Sequence, residues 1–155
     1  MASPASIAKH PIHPMLIPFP IGLWVFSLVA DIVYRVGGDP LWLGIAYWTM
    51  IGGTVGALVA AIPGLIDYLS LKDPKAVRIA TVHLTLNLII VGLFVVNLVL
   101  RTTGYPPTTV PLVLSAVGVG LLLFSGWFGW ELIYRYGVAV TPEIEVRVRE
   151  RRGAA

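Results

Sequence analysis

There is no cysteine anywhere in this chain of 155 residues. That absence excludes disulfides, thiolate zinc sites, cysteine-ligated iron–sulfur clusters and covalently attached haem. Charge is scarce as well. Asp, Glu, Lys and Arg make up 12% of the residues, whereas 57% are hydrophobic and the mean hydropathy is +0.84. An ordinary soluble domain is about 25% charged, so an integral membrane protein is expected. Neither a phosphate-binding loop nor a dinucleotide fingerprint occurs, which argues against a nucleotide enzyme. No exposed nucleophile with a paired base can be picked out, so a hydrolase is not expected and no catalytic activity is assigned. Any metal chemistry must rest on His, Asp, Glu, Asn, Met or Tyr.

What the chain does have is long apolar runs. Crossing about 30 Å of hydrocarbon at about 1.5 Å per residue takes about 20 helical residues. Four stretches qualify, at about 15–35, 41–71, 76–101 and 110–136. The second is long enough to need tilt, a kink at Pro63-Gly64, or an interfacial end. Short connections (VGGDP, LKDPK, TTGYPPTTVP) make successive helices antiparallel neighbours. The expected fold is all-α, a four-helix up-down membrane bundle over 15–136. An N-terminal interfacial segment (1–14) and a basic tail (137–155) flank it. The segment before the first apolar run carries one lysine and is broken by prolines, so no cleavable signal is expected.

Basic residues gather on one side. Lys9, Lys72, Lys75, Arg78, Arg135, Arg147, Arg149, Arg151 and Arg152 share a side with both termini, while Arg35 and Arg101 lie on the other. The positive-inside rule then puts both termini in the cytoplasm of a bacterial inner-membrane protein. The same grouping accounts for a pI near 9.5 without any nucleic-acid surface. In the tail, Thr141 and Pro142 could cap and start a short interfacial helix, although disorder fits its composition equally.

Small residues mark packing faces. Gly52, Gly53, Gly56, Ala57, Ala60 and Gly64 recur at spacings of three and four along the second span, and Gly118, Ser125, Gly126 and Gly129 along the fourth. Asp67 falls eleven residues after Gly56, nearly the same direction at about 100° per residue, so its carboxylate should enter the bundle.

Packing does not explain the remaining polar groups. His83, Asn87, Asn97 and Arg101 fall within about 40° of one line on the third span, so this stripe should face inward. Asp67, His83 and Glu131 lie roughly 6 to 10 Å below the same boundary, where His10 and His13 enter. Glu131 and Arg135, four apart, can pair. Three readings of this layer stay open: a hydrogen-bonded network fixing helix register, a metal or b-type haem site with His83 and either His13 or His10 as ligands, and a proton or ion path along His83, Asn87 and Asn97.

The stretch HPIHP (10–14) bears on the second reading. In a polyproline conformation His10 and His13 would stand about 9 Å apart and could not share one ion. A β-turn over 10–13 would bring the ends within about 7 Å. Pro14 suits the first turn of a helix, which makes His13 a natural cap.

HPIHPMLIPFPIGLW (10–24), GWFGWELIYRYGVAV (126–140) and His83 four residues before Asn87 together give a resemblance to the bacterial membrane family called domain of unknown function 2231, over roughly residues 10 to 140. The matching positions are His10, His13, Pro14, Asp67, His83, Asn87, Glu131, Tyr134, Arg135 and Gly137. The resemblance implies a four-helix membrane protein. Some members carry a Rieske-type iron–sulfur domain on the same chain, which implies an association with membrane electron transfer. No such domain is expected in these 155 residues, which contain no cysteine to ligate its cluster. It also has Pro18-Phe19-Pro20 where relatives often read H-F-P, and Tyr136 where they often have His, so a surviving site would rest on His10, His13 and His83. The expectation is a redox-associated or cofactor-holding membrane subunit; the alternative is a structural or assembly subunit of a larger complex. Expected partners are the lipid bilayer, other membrane or iron–sulfur redox proteins, and a second copy of the chain.

Overall fold

The structure, a computed structural model, describes residues 3–103 and 109–140. The expected tail helix from Thr141 therefore lies outside the described residues. Two short antiparallel strands, β1 (Ser6–Ile7) and β2 (His10–Pro11), precede five helices: α1 (Ile12–Leu16), α2 (Pro18–Gly37), α3 (Leu41–Leu69), α4 (Pro74–Thr102) and α5 (Thr109–Tyr136). With α1 and α2 taken as one span, four helices among the described residues are long and apolar enough to cross a membrane. The protein is an all-α four-helix bundle. At about 1.5 Å per residue, the 29 residues of α3 or α4 exceed the hydrocarbon core, so their ends reach the headgroup region.

Local chemistry sets the helix ends. Gly38, at φ 76°, terminates α2 and returns its amide to the Tyr34 carbonyl, a left-handed closure that glycine adopts without Cβ strain. The Asp39 carboxylate then accepts the Leu41 amide at the start of α3, and Asp73 accepts the Lys75 amide at the start of α4, where Pro74 needs no donor partner. Helix α3 runs on through Pro63.

Helices α2 and α3 pack most closely, then α4 and α5, and the α2–α5 and α3–α4 faces close the ring. This leaves α2 diagonal to α4. Trp24, Met50, Ile90, Phe94 and Leu122 form the buried core, with Trp24 and Phe94 stacked across the diagonal, centroids 4.3 Å apart and planes 6° from parallel. The glycine seam of α3 admits its neighbour: Gly52, Gly53, Gly56 and Gly64 meet Leu23, Trp24, Pro20 and His13. Gly126 departs from expectation, because no neighbouring atom lies within 4 Å of where its Cβ would be. The outer faces are apolar, and exposed Trp127, Trp130 and Tyr134 on α5 and Trp48 on α3 form the aromatic girdles of a membrane protein.

Candidate functional site

Two polar regions lie at opposite ends of the bundle. The arginine end is where α2 finishes and α3 begins; the histidine end is where α2 begins and α3 finishes.

At the arginine end, the Arg101 guanidinium grips Asp31 with both nitrogens, at 2.9 and 2.5 Å. Arg101 Nε donates to the Asn97 side-chain oxygen, and the Asn97 amide donates to Ser115 Oγ and to the Pro111 carbonyl. Ser115 Oγ returns to Asp31 at 3.3 Å, so three helices share one ring of bonds. The Arg101 and Asp31 side chains are only 10% and 6% exposed. Mutual pairing is the condition for burying such charges in hydrocarbon. The residues alone place Asn97 and Arg101 on the inward stripe and Asp31 at the same membrane face as Arg101. Helix count aligns the pair as well, since Asp31 lies eighteen residues after His13 as Arg101 lies eighteen after His83.

The histidine end is built differently. His13 does not cap a helix: Pro11 is the N-cap of α1 and makes no side-chain bond. HPIHP forms neither a polyproline run nor a closed turn, since His10 and Pro11 belong to β2 and Ile12 begins α1. Two-residue hairpins of this kind need φ > 0, here supplied by Ala8 and Lys9 at 49° and 65°. His13 Nδ1 instead reaches the Ala60 carbonyl on α3 at 2.7 Å, and its ring lies where a Cβ on Gly64 would stand. A carbonyl only accepts, so Nδ1 carries a proton, and in the neutral ring Nε2 then keeps a lone pair.

His83 repeats this arrangement on the other hairpin. Its Nδ1 bonds the Ser125 carbonyl at 2.9 Å, with Ser125 Oγ at 3.0 Å, and its ring lies against Gly129. The Asn87 amide donates to the His83 carbonyl and to Ser125 Oγ, each at 2.8 Å, and sits 3.2 Å from His83 Nε2. An amide has two hydrogens, and the two shorter contacts take them.

The other expected members of the layer are engaged separately. Asp67 is buried and accepts from Ser3 Oγ at 2.6 Å and, more weakly, from the Ala5 amide, so it anchors the N-terminal segment. Glu131 pairs with Arg135 at 2.7 Å, the arginine side chain being 71% exposed. His10 is exposed and bonds the Ala8 carbonyl. Among the described residues no three of His, Asp and Glu gather as a metal-holding group.

What the histidine end can do chemically is limited but definite. Imidazoles that ligate a metal commonly donate their other N–H to a carbonyl, which fixes tautomer and orientation. His13 and His83 both meet this condition. No curated protein and no solved structure matches the chain. The family description "Predicted membrane protein (DUF2231)" matches residues 9–142, most of the chain from the N-terminal hairpin to the end of the fourth span, and the chain belongs to that family.

Proposed function

We propose that this protein is a small multi-pass subunit of the bacterial inner membrane that holds a metal-centred, redox-active group at its histidine end, either a metal ion or a b-type haem. One observation carries the reading: His13 and His83, from different hairpins, are each tied through Nδ1 to a backbone carbonyl, at 2.7 and 2.9 Å, and each retains Nε2 for another bond. Imidazole nitrogen suits iron, copper and zinc. Asp67, Asn87, Glu131 and Arg135 have supporting roles in this reading, and His10 none. The histidine end faces the cytoplasm, because Lys9, Lys72, Lys75, Arg78 and Arg135 lie there. The experiment is an absorption spectrum and metal analysis of the protein purified from its membrane, with His83→Ala alongside. A visible band or bound metal that the variant loses supports the reading; a colourless, metal-free and folded protein removes it.

A second reading has its own support. The closed Asp31–Arg101 ring fixes helix register and needs nothing from outside the chain, as expected of a structural or assembly subunit. Stable co-purification of other membrane subunits with a cofactor-free protein would favour it.

A further inference from the structure

The two helical hairpins, α2–α3 and α4–α5, the first with α1 at its start, share a set of equivalent contacts. Equivalent positions on the first helix of each pair are 70 residues apart, and those on the second 65 apart, as the residue numbers show. His13 bonds the Ala60 carbonyl and rests on Gly64; His83 bonds the Ser125 carbonyl and rests on Gly129. Trp24 lies over Gly53 and Phe94 over Gly118. Ser27 donates to the carbonyl of Ala46, and Asn97 to that of Pro111. Asp31 and Arg101, the next equivalent pair, bind each other. Hairpins of the same up-down sense that pack side by side are related by an axis along the membrane normal, the arrangement of a parallel internal repeat.

That axis locates the histidines relative to each other. Counting from His13 or His83, the equivalent residues fall at offsets of 11, 14 and 18, within about 40° of one line on the helix. Two of these pairs meet across the diagonal: Trp24 stacks on Phe94, and Asp31 chelates Arg101. His13 and His83 lie on the same two lines, one end further along. With both Nδ1 atoms turned to the carbonyls of their own hairpins, ring geometry sends both Nε2 lone pairs away from those carbonyls. Two half-buried nitrogens related by such an axis can share one electrophile between them, with the Asn87 amide beside the His83 nitrogen.

Ligand number selects its class. Bare zinc or copper takes three or four protein donors, whereas no third His, Asp or Glu joins the pair among the described residues. A metal that brings its own four equatorial nitrogens needs two. We propose that His13 and His83 are the axial ligands of a metal tetrapyrrole held on the internal two-fold axis, one ligand from each hairpin. This rests on the cofactor-holding reading and names the class of cofactor. The Trp24–Phe94 stack, three helical turns deeper, closes the site from below, and Lys72, Lys75 and Arg78 at the rim suit the carboxylates that such macrocycles carry.

The test uses the full chain in detergent, stripped of bound metal, titrated with haemin and separately with Zn²⁺ and Cu²⁺. Haemin should bind stoichiometrically and give the low-spin spectrum of two axial imidazoles. That spectrum should be lost in His13→Ala and in His83→Ala and unchanged in His10→Ala. His83→Met, which keeps a ligand of similar length, should shift the bands rather than abolish binding, and circular dichroism verifies that each variant is helical. Stoichiometric Zn²⁺ or Cu²⁺ binding lost in both alanine variants, without haemin binding, overturns the tetrapyrrole and leaves the cofactor-holding reading standing. Haemin uptake indifferent to both substitutions overturns the axial assignment. A folded wild-type protein that binds none of the three overturns both.

Discussion

The two ends of the bundle turn polar side chains inward on the same faces of the first and third spans, yet they satisfy them in opposite ways. At the arginine end the partners are mostly other side chains of the same ring, and the ring closes: Asp31 to Arg101, Arg101 to Asn97, Asn97 to Ser115, Ser115 to Asp31. At the histidine end each group finds its own anchor, largely on the backbone: His13 on Ala60, His83 on Ser125, Asp67 on the N-terminal segment. The difference follows from charge. A carboxylate and a guanidinium in hydrocarbon must neutralise each other, whereas a neutral imidazole needs one bond to be tolerated and can keep its second nitrogen for chemistry.

Breaking the arginine end should cost most. Arg101→Leu leaves the Asp31 carboxylate buried without a counter-charge and should lower stability by about 3–5 kcal/mol in thermal or denaturant unfolding. The double variant Asp31→Leu/Arg101→Leu should recover most of that loss. If it is as unstable as the single one, the ring is not the unit described here.

Between the two ends, the core sets an intermediate scale. Gly53→Ala and Gly118→Ala place a methyl 2.6 Å from the Trp24 ring and 2.8 Å from the Phe94 ring. Each should destabilise by about 1–3 kcal/mol. Gly92→Ala meets no neighbouring atom within 4 Å. It should be neutral, or gain up to about 1 kcal/mol from helix propensity.

At the histidine end the effects should be smaller. Without a cofactor, His13→Ala or His83→Ala removes one cross-helix bond, worth about 0.5–1.5 kcal/mol in the same unfolding assay. A loss as large as that of Arg101→Leu would erase the contrast between the ends. Smallest of all, Asp67→Ala should leave global unfolding nearly unchanged while amide exchange quickens at Ile12, which bonds the Ala5 carbonyl of the anchored segment. Exchange in α4 and α5 should stay as it is.

Much of this architecture was legible in the residues. Apolar runs of span length, scarce charge and short connections specify four antiparallel helices, and the α3 glycines at three- and four-residue spacing specify a close-packed face, which α2 and α1 occupy. The inward stripe of His83, Asn87, Asn97 and Arg101 follows from helix period alone. The partners do not, because period fixes direction and not distance. Asp67 shares a depth with His83 and Glu131 but is taken by Ser3, whereas the Glu131–Arg135 pair, four residues apart on one helix, was legible. Backbone acceptors such as the Ala60 and Ser125 carbonyls leave no mark in a sequence. The internal repeat was hidden for a related reason. Its equivalent pairs, Trp24 with Phe94 or Asp31 with Arg101, conserve position and role while changing residue type, whereas His13/His83, Gly53/Gly118 and Gly64/Gly129 keep both.

The account turns on two imidazoles that donate through Nδ1 and hold Nε2 in reserve, and nitrogen-15 spectra of the histidine-labelled, metal-free protein read this directly. Assigned with His10→Ala, His13→Ala and His83→Ala, the His13 and His83 rings should both be neutral, with the proton on Nδ1 and an unprotonated Nε2. A proton on Nε2 of either ring would mean that the nitrogen assigned to the cofactor is already committed, and would contradict the account.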